Sequence, residues 1–63
     1  MTFGERVKAV RKDAGLSQTE FGQRIGLSFG GISDIERGKT DSTLQTRRAI
    51  CAEFNVNPLW LDE

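Results

Sequence analysis

The sequence has no histidine and no tyrosine, and only one cysteine, one proline, one methionine and one tryptophan in 63 residues. Without histidine there is no imidazole to ligate a metal or to act as acid or base. With Cys51 alone there is no disulfide framework. No apolar run approaches the roughly 20 residues that a membrane helix needs. The stretch MTFGERVKAVRKD at the start lacks the apolar segment of a signal peptide. No nucleophile stands beside a base. These absences predict a cytoplasmic, non-enzymatic protein with no metal, no cofactor and no membrane association.

Charge of either sign is also missing from the balance. Nine basic and nine acidic residues cancel, which argues mildly against tight binding to nucleic acid. The distribution is uneven, however. Residues 1–39 hold seven basic and five acidic side chains, a surplus of +2, and residues 40–63 hold two and four, −2. One end could therefore face phosphate.

What is present is helical punctuation. A chain of this size forms one domain and buries about 60% of its unfolded surface. Thr2 and Glu5 form a capping box ahead of Phe3, Val7 and Val10, which recur at helical spacing up to Gly15. Arg6, Lys8, Lys12 and Asp13 are expected in solvent, and Arg11 close to the buried seam. Ser17 and Glu20 make a second box, opening a helix over about 17–25 with Phe21 and Ile25 inward. Gly22, in mid-helix, costs about 1 kcal/mol against alanine and implies close approach of the next helix. Gly26 makes the turn and Leu27 plugs the corner. Ser28 caps a third helix over about 28–37, with Ile32 and Ile35 inward and Ser33, Asp34 and Arg37 outward. Ser42 and Gln45 suggest a third box, before a stripe of Leu44, Ile50, Cys51 and Phe54 that Arg47 interrupts. Asn55 ends that helix. Asn57 and Pro58 start a last turn through Trp60 and Leu61. No strand pattern or repeat occurs, so the expected fold is all-α with five helices. The joint at Gly26 is too short for an antiparallel pair. Helices 2 and 3 must cross steeply, the arrangement that puts a helix into the DNA major groove.

The sequence resembles the phage-repressor and Cro-like (Xre) helix-turn-helix family. The likeness is carried by LSQTEFGQRIGLS, by I-S-x-I-E-R-G-K at Ile32–Lys39 and by V-N-x-x-W-L at Val56–Leu61, and it spans essentially all 63 residues. It implies a compact five-helix domain, residues 1–63, that binds palindromic double-stranded operators as a homodimer. The setting it implies is the bacterial nucleoid or a phage-infected cell. It places Gln18 on a backbone phosphate, assisted by the amides of a helix N-terminus. It places Ser28, Phe29, Gly30 and Ser33 on base edges or adjacent phosphates, and Lys39 and Thr40 on phosphate. Arg11 and Glu36 would form an internal salt bridge between helices 1 and 3. Pro58, Trp60 and Leu61 would serve the dimer interface as well as the core.

The reading surface departs from the family pattern. Bidentate Arg, Gln or Asn are the usual readers of guanine and adenine. Phe29 can touch a thymine methyl; a protein contact and folding back onto Leu27 are its other readings. Gly30 and Gly31 bring backbone close to DNA, or simply loosen the helix start. Asp34 can accept from cytosine, but as a solvated carboxylate it would pair with Arg37. Arg37 is the strong donor, placed near the helix end and closer to backbone than to bases. Together with Thr19 these residues complete the expected DNA-binding set. Two functions follow: a DNA-binding transcriptional regulator, a repressor, or a protein-interaction or antitoxin-type module docking through Phe29 and the Trp60 region.

Overall fold

The computed structural model describes residues 1–62, which form five helices and no strand. They are α1 (Phe3–Asp13), α2 (Gln18–Ile25), α3 (Phe29–Glu36), α4 (Leu44–Phe54) and α5 (Pro58–Leu61). Helices α2 and α3 each start one residue after the serine that caps them. The Thr2 and Ser17 hydroxyls accept from the Glu5 and Glu20 amides, both at 3.1 Å. The two carboxylates accept in return from the Thr2 and Ser17 amides at 2.7 and 2.9 Å. Those backbone bonds favour the ionised form and hold both glutamates below the ordinary carboxylate range.

The start of α4 differs from expectation. Thr43, not Ser42, is the cap, and its hydroxyl accepts from the Thr46 amide at 3.2 Å. Ser42 lies one residue ahead of the cap position, and its hydroxyl accepts from Arg47 Nε at 3.1 Å. No capping box with Gln45 forms. Leu44 is exposed and leaves the expected stripe to Ile50, with Cys51 and Phe54 half-buried. Burial raises the Cys51 thiol, with the Asp62 carboxylate a smaller cause.

The core is Val7, Val10, Phe21, Ile32, Ile35, Ile50 and Leu61. Phe21 stacks on Phe54 with ring centroids 4.7 Å apart. Gly26 takes φ +79°, a left-handed turn that glycine adopts without strain. It lets α2 and α3 cross directly, and that crossing leaves no room at Gly22. A side chain there would collide first with the Leu27 carbonyl of the turn, and then with Ile32 Cγ1 at 3.3 Å. The expected partner, α3, is thus only the second obstacle. On the other side Gly4 brings α1 against the Ile35 and Glu36 carbonyls at the end of α3. The helix pair is therefore gripped from two sides.

At the far end of the chain two arginines hold α5. Arg6 was expected in solvent. Instead its Nη1 donates to the Trp60 carbonyl at 2.6 Å and its guanidinium lies 5.2 Å from the Trp60 ring centroid. Arg47 lies over Phe3, 4.6 Å from its centroid, and donates to Asp62 at 3.1 Å. This is how a cation occupies a stripe position that called for an apolar residue: its stem and flat face pack while its donors reach oxygen. Leu61 is 1% exposed. It is sealed in the core, the structural half of what the sequence suggested for it.

Candidate nucleic-acid interface

The α2–α3 pair presents polar side chains at both edges and an exposed phenylalanine between them. At one edge lies the first turn of α2. Thr19 is exposed, while Gln18 is half-buried and its amide donates to Glu36 Oε1 at 3.1 Å. Glu36 is the hub of this edge. Its Oε2 accepts from Arg11 Nε at 2.7 Å and its Oε1 accepts from Arg11 Nη2 at 3.2 Å. The pair is nearly dry, with side-chain exposures of 12% for Arg11 and 5% for Glu36. Arg11 also donates to the Leu16 carbonyl at 3.0 Å, so the salt bridge ties α1, the α1–α2 loop and α3 together. Gln18 retains a second N–H on the same amide nitrogen, free of Glu36.

At the middle lies the start of α3. Ser28 is exposed and its hydroxyl accepts from the Gly31 amide at 3.2 Å. Phe29 is 57% exposed, so it does not fold back onto Leu27. Gly30 is exposed and Gly31 half-buried. The first turn of α3 carries no acidic residue, whereas that of α2 carries Glu20. The positive end of the α3 dipole thus has no carboxylate in its own first turn, and that of α2 does.

At the other edge Lys39 and Thr40 are exposed in the loop that follows α3. The loop is anchored by the Lys39 amide, which donates to the Asp34 carbonyl at 2.9 Å. Two expectations on α3 itself change. Ser33 does not stand free in solvent: it is 7% exposed and its hydroxyl accepts from Arg37 Nε at 3.3 Å and Nη2 at 3.0 Å. Arg37 therefore reaches back to Ser33, one turn earlier, rather than pairing with Asp34. The i, i+4 spacing of Ser33 and Arg37 could have signalled this, since such pairs meet on a helix surface.

The Helix-turn-helix family model matches residues 7–61. The chain belongs to this family. Its helix-turn-helix is the α2–Gly26–α3 unit, and the all-α fold agrees with solved relatives. The structure of the P22 c2 repressor protein in complex with synthetic operator 9T superposes with a TM-score of 0.89. It is 30% identical and covers 97% of this chain and 92% of that one. An immunity repressor protein of Bacillus phage phi105 is 34% identical over 56 residues, 89% of this chain. Antitoxin PezA of Streptococcus pneumoniae is 33% identical over 55 residues, 87% of this chain. This helix-turn-helix chain spans 39% and 35% of the lengths of those two relatives. Among the described residues no helix is long and apolar enough to cross a membrane.

Proposed function

We propose that this chain is the operator-binding domain of a transcriptional repressor of phage or bacterial type, whose work is binding rather than catalysis. The observation that carries the reading is the likeness, at 30% identity and TM-score 0.89, to a repressor solved on operator DNA. The dimensions agree with it. Eight residues make α3 about 12 Å long, about the width of the major groove. Phosphate contacts fall to the second N–H of Gln18, to Thr19 and Ser28, to the Gly30 amide at the start of α3, that of Gly31 being held by the Ser28 hydroxyl, and to Lys39 and Thr40. Phe29 packs on thymine methyls.

The longest axis of the domain is 25 Å. Successive major grooves on one side of B-DNA lie about 34 Å apart. One copy reaches one groove, so a palindromic operator requires two. We place the dimer contact at Pro58, Leu59 and the outer edge of Trp60, where Leu59 is 79% exposed. Leu59→Glu is expected to abolish dimers in sedimentation and to weaken operator binding, while the helical spectrum of the monomer is unchanged.

The test of function is titration of labelled duplexes, palindromic and scrambled, at low and moderate salt. Sequence-dependent binding that weakens with salt is expected, and Lys39→Glu should weaken it on every sequence. Absence of such binding under all conditions would end the reading. The exposed ring of Phe29 beside two glycines favours a second reading, a docking patch for a protein partner of antitoxin type. Under it Phe29→Ala would abolish a protein contact and leave DNA binding intact.

A further inference from the structure

No side chain that can hydrogen-bond a base edge stands in the first turn of α3 at Phe29, Gly30 and Gly31, and the geometry points to a replacement. We propose that Arg37 reads a guanine in the major groove and that Ser33 is the positioning residue that aims it. The proposal rests on the operator-binding reading above. Successive residues of a helix are about 100° apart. With Ile32 and Ile35 buried, that spacing puts Gly30, Asp34 and Arg37 on the outward face of α3, with Ser33, 7% exposed, at its margin. Phe29 lies to its side, toward Glu36.

Arg37 starts at the end of α3 but does not act there. Its bonds to Ser33 at 3.0 and 3.3 Å carry the guanidinium back along the helix, by up to about 6 Å for four residues of rise. Long helical side chains lean that way by default. Gly30 adds no side chain in front of it. A Cβ at that position would meet nothing nearer than Ser28 Oγ at 4.0 Å. The guanidinium thus lies beside Ser33, one turn nearer the N-terminal end of α3 that meets base edges.

The donor count completes the argument. A guanidinium has five N–H groups. Ser33 takes one from Nε and one from Nη2. Both N–H groups of Nη1 and one of Nη2 are left, and the Nη2 N–H with one of the Nη1 pair forms a flat two-pronged edge. Guanine presents two acceptors, O6 and N7, that match such an edge. Adenine presents one acceptor and a donor that opposes it. A phosphate would also match the fork, but Asp34 shares this face. Its carboxylate repels a phosphate and does not repel an uncharged base edge. Ser33, fixing one side of the plane, makes the fork preorganised rather than searching.

The experiment selects bound sites from random DNA with the wild-type chain and with Arg37→Lys, Arg37→Ala and Ser33→Ala, checked for helicity by circular dichroism. Wild type is expected to require one guanine per half-site. Arg37→Lys and Arg37→Ala should flatten that position by roughly 10- to 100-fold and leave the others. Ser33→Ala should relax the same position, and its effect should vanish in the Arg37→Ala background, which a merely structural serine would not do. Replacing each guanine of the selected site with 7-deazaguanine, which lacks the N7 acceptor, tests the wild-type chain without any substitution in the protein. Binding should fall at the assigned guanine only. Insensitivity at every guanine, or uniform weakening in the Arg37 variants with all preferences kept, overturns the assignment and leaves the operator-binding reading standing. Failure of the wild type to select any sequence overturns that reading as well.

Discussion

Seven glycines stand in 63 residues, and at Gly22 and Gly30 the space around each sets its role. At Gly22 an added methyl would run into the Leu27 carbonyl. Backbone cannot swing aside as a side-chain tip can, so Gly22→Ala is expected to destabilise by about 1–3 kcal/mol, like other overpacked cores. At Gly30 an added methyl would meet only ordinary contact, and the helix would gain up to about 1 kcal/mol. Gly30→Ala should therefore raise the melting temperature by a few degrees, and Gly22→Ala lower it by more, both read by thermal circular dichroism. The sequence reveals that Gly22 is costly where it stands, because helix propensity is local. It does not reveal the obstacle, since the turn at Gly26 folds the chain back on its own preceding helix. Ser33 and Arg37 show the same limit. Their spacing allows a bond, but the exposed or capped state of Ser33 depends on which of several partners Arg37 takes.

Helices α1 and α3 are joined by a salt bridge that is almost out of water. Arg11→Ala would leave Glu36 buried with the Gln18 amide as its one remaining side-chain partner among the described bonds. Breaking such a pair from one side costs about 3–5 kcal/mol, a large share of the 5–15 kcal/mol that holds typical domains together. Urea denaturation should show Arg11→Ala mostly unfolded or close to it, and the double variant Arg11→Met, Glu36→Leu recovering much of the loss. Recovery is expected because no uncompensated charge then stays inside. Among the caps, those of α1, α2, α3 and α5 are legible from the sequence, since each is settled within three residues. The cap of α4 is not. Ser42 has the right chemistry but is claimed by Arg47, whose position depends on Phe3 and Asp62 at the two ends of the chain.

The whole molecule has few cations to spare for DNA. Arg6, Arg11, Arg24 and Arg47 bond to carbonyls or carboxylates of the chain itself. On the α2–α3 face the cations are Arg37 and Lys39. If each protomer neutralises at most two phosphates, a dimer neutralises about four, and log K should fall with log salt at a slope no steeper than about −4. Fluorescence anisotropy across a salt series measures this, and a slope near −8 would require a basic surface that the fold keeps occupied. The five-helix plan was legible at this scale because caps and apolar spacing agree along nearly the whole chain. The pairing of four arginines within the chain was not, because a neutral sum and a +2 surplus say nothing about which charges are committed.

The latch on α5 has a further consequence. Trp60 is the single tryptophan in a chain without tyrosine, and the Arg6 guanidinium stands over its ring. Its ultraviolet emission therefore comes from one helical turn under one cation. Lifting that turn off α1, or covering it with a second protomer, changes the colour and intensity of the light the molecule gives off. The ring is therefore an optical probe of the proposed dimer, placed away from α3, so pairing can be followed on unlabelled DNA.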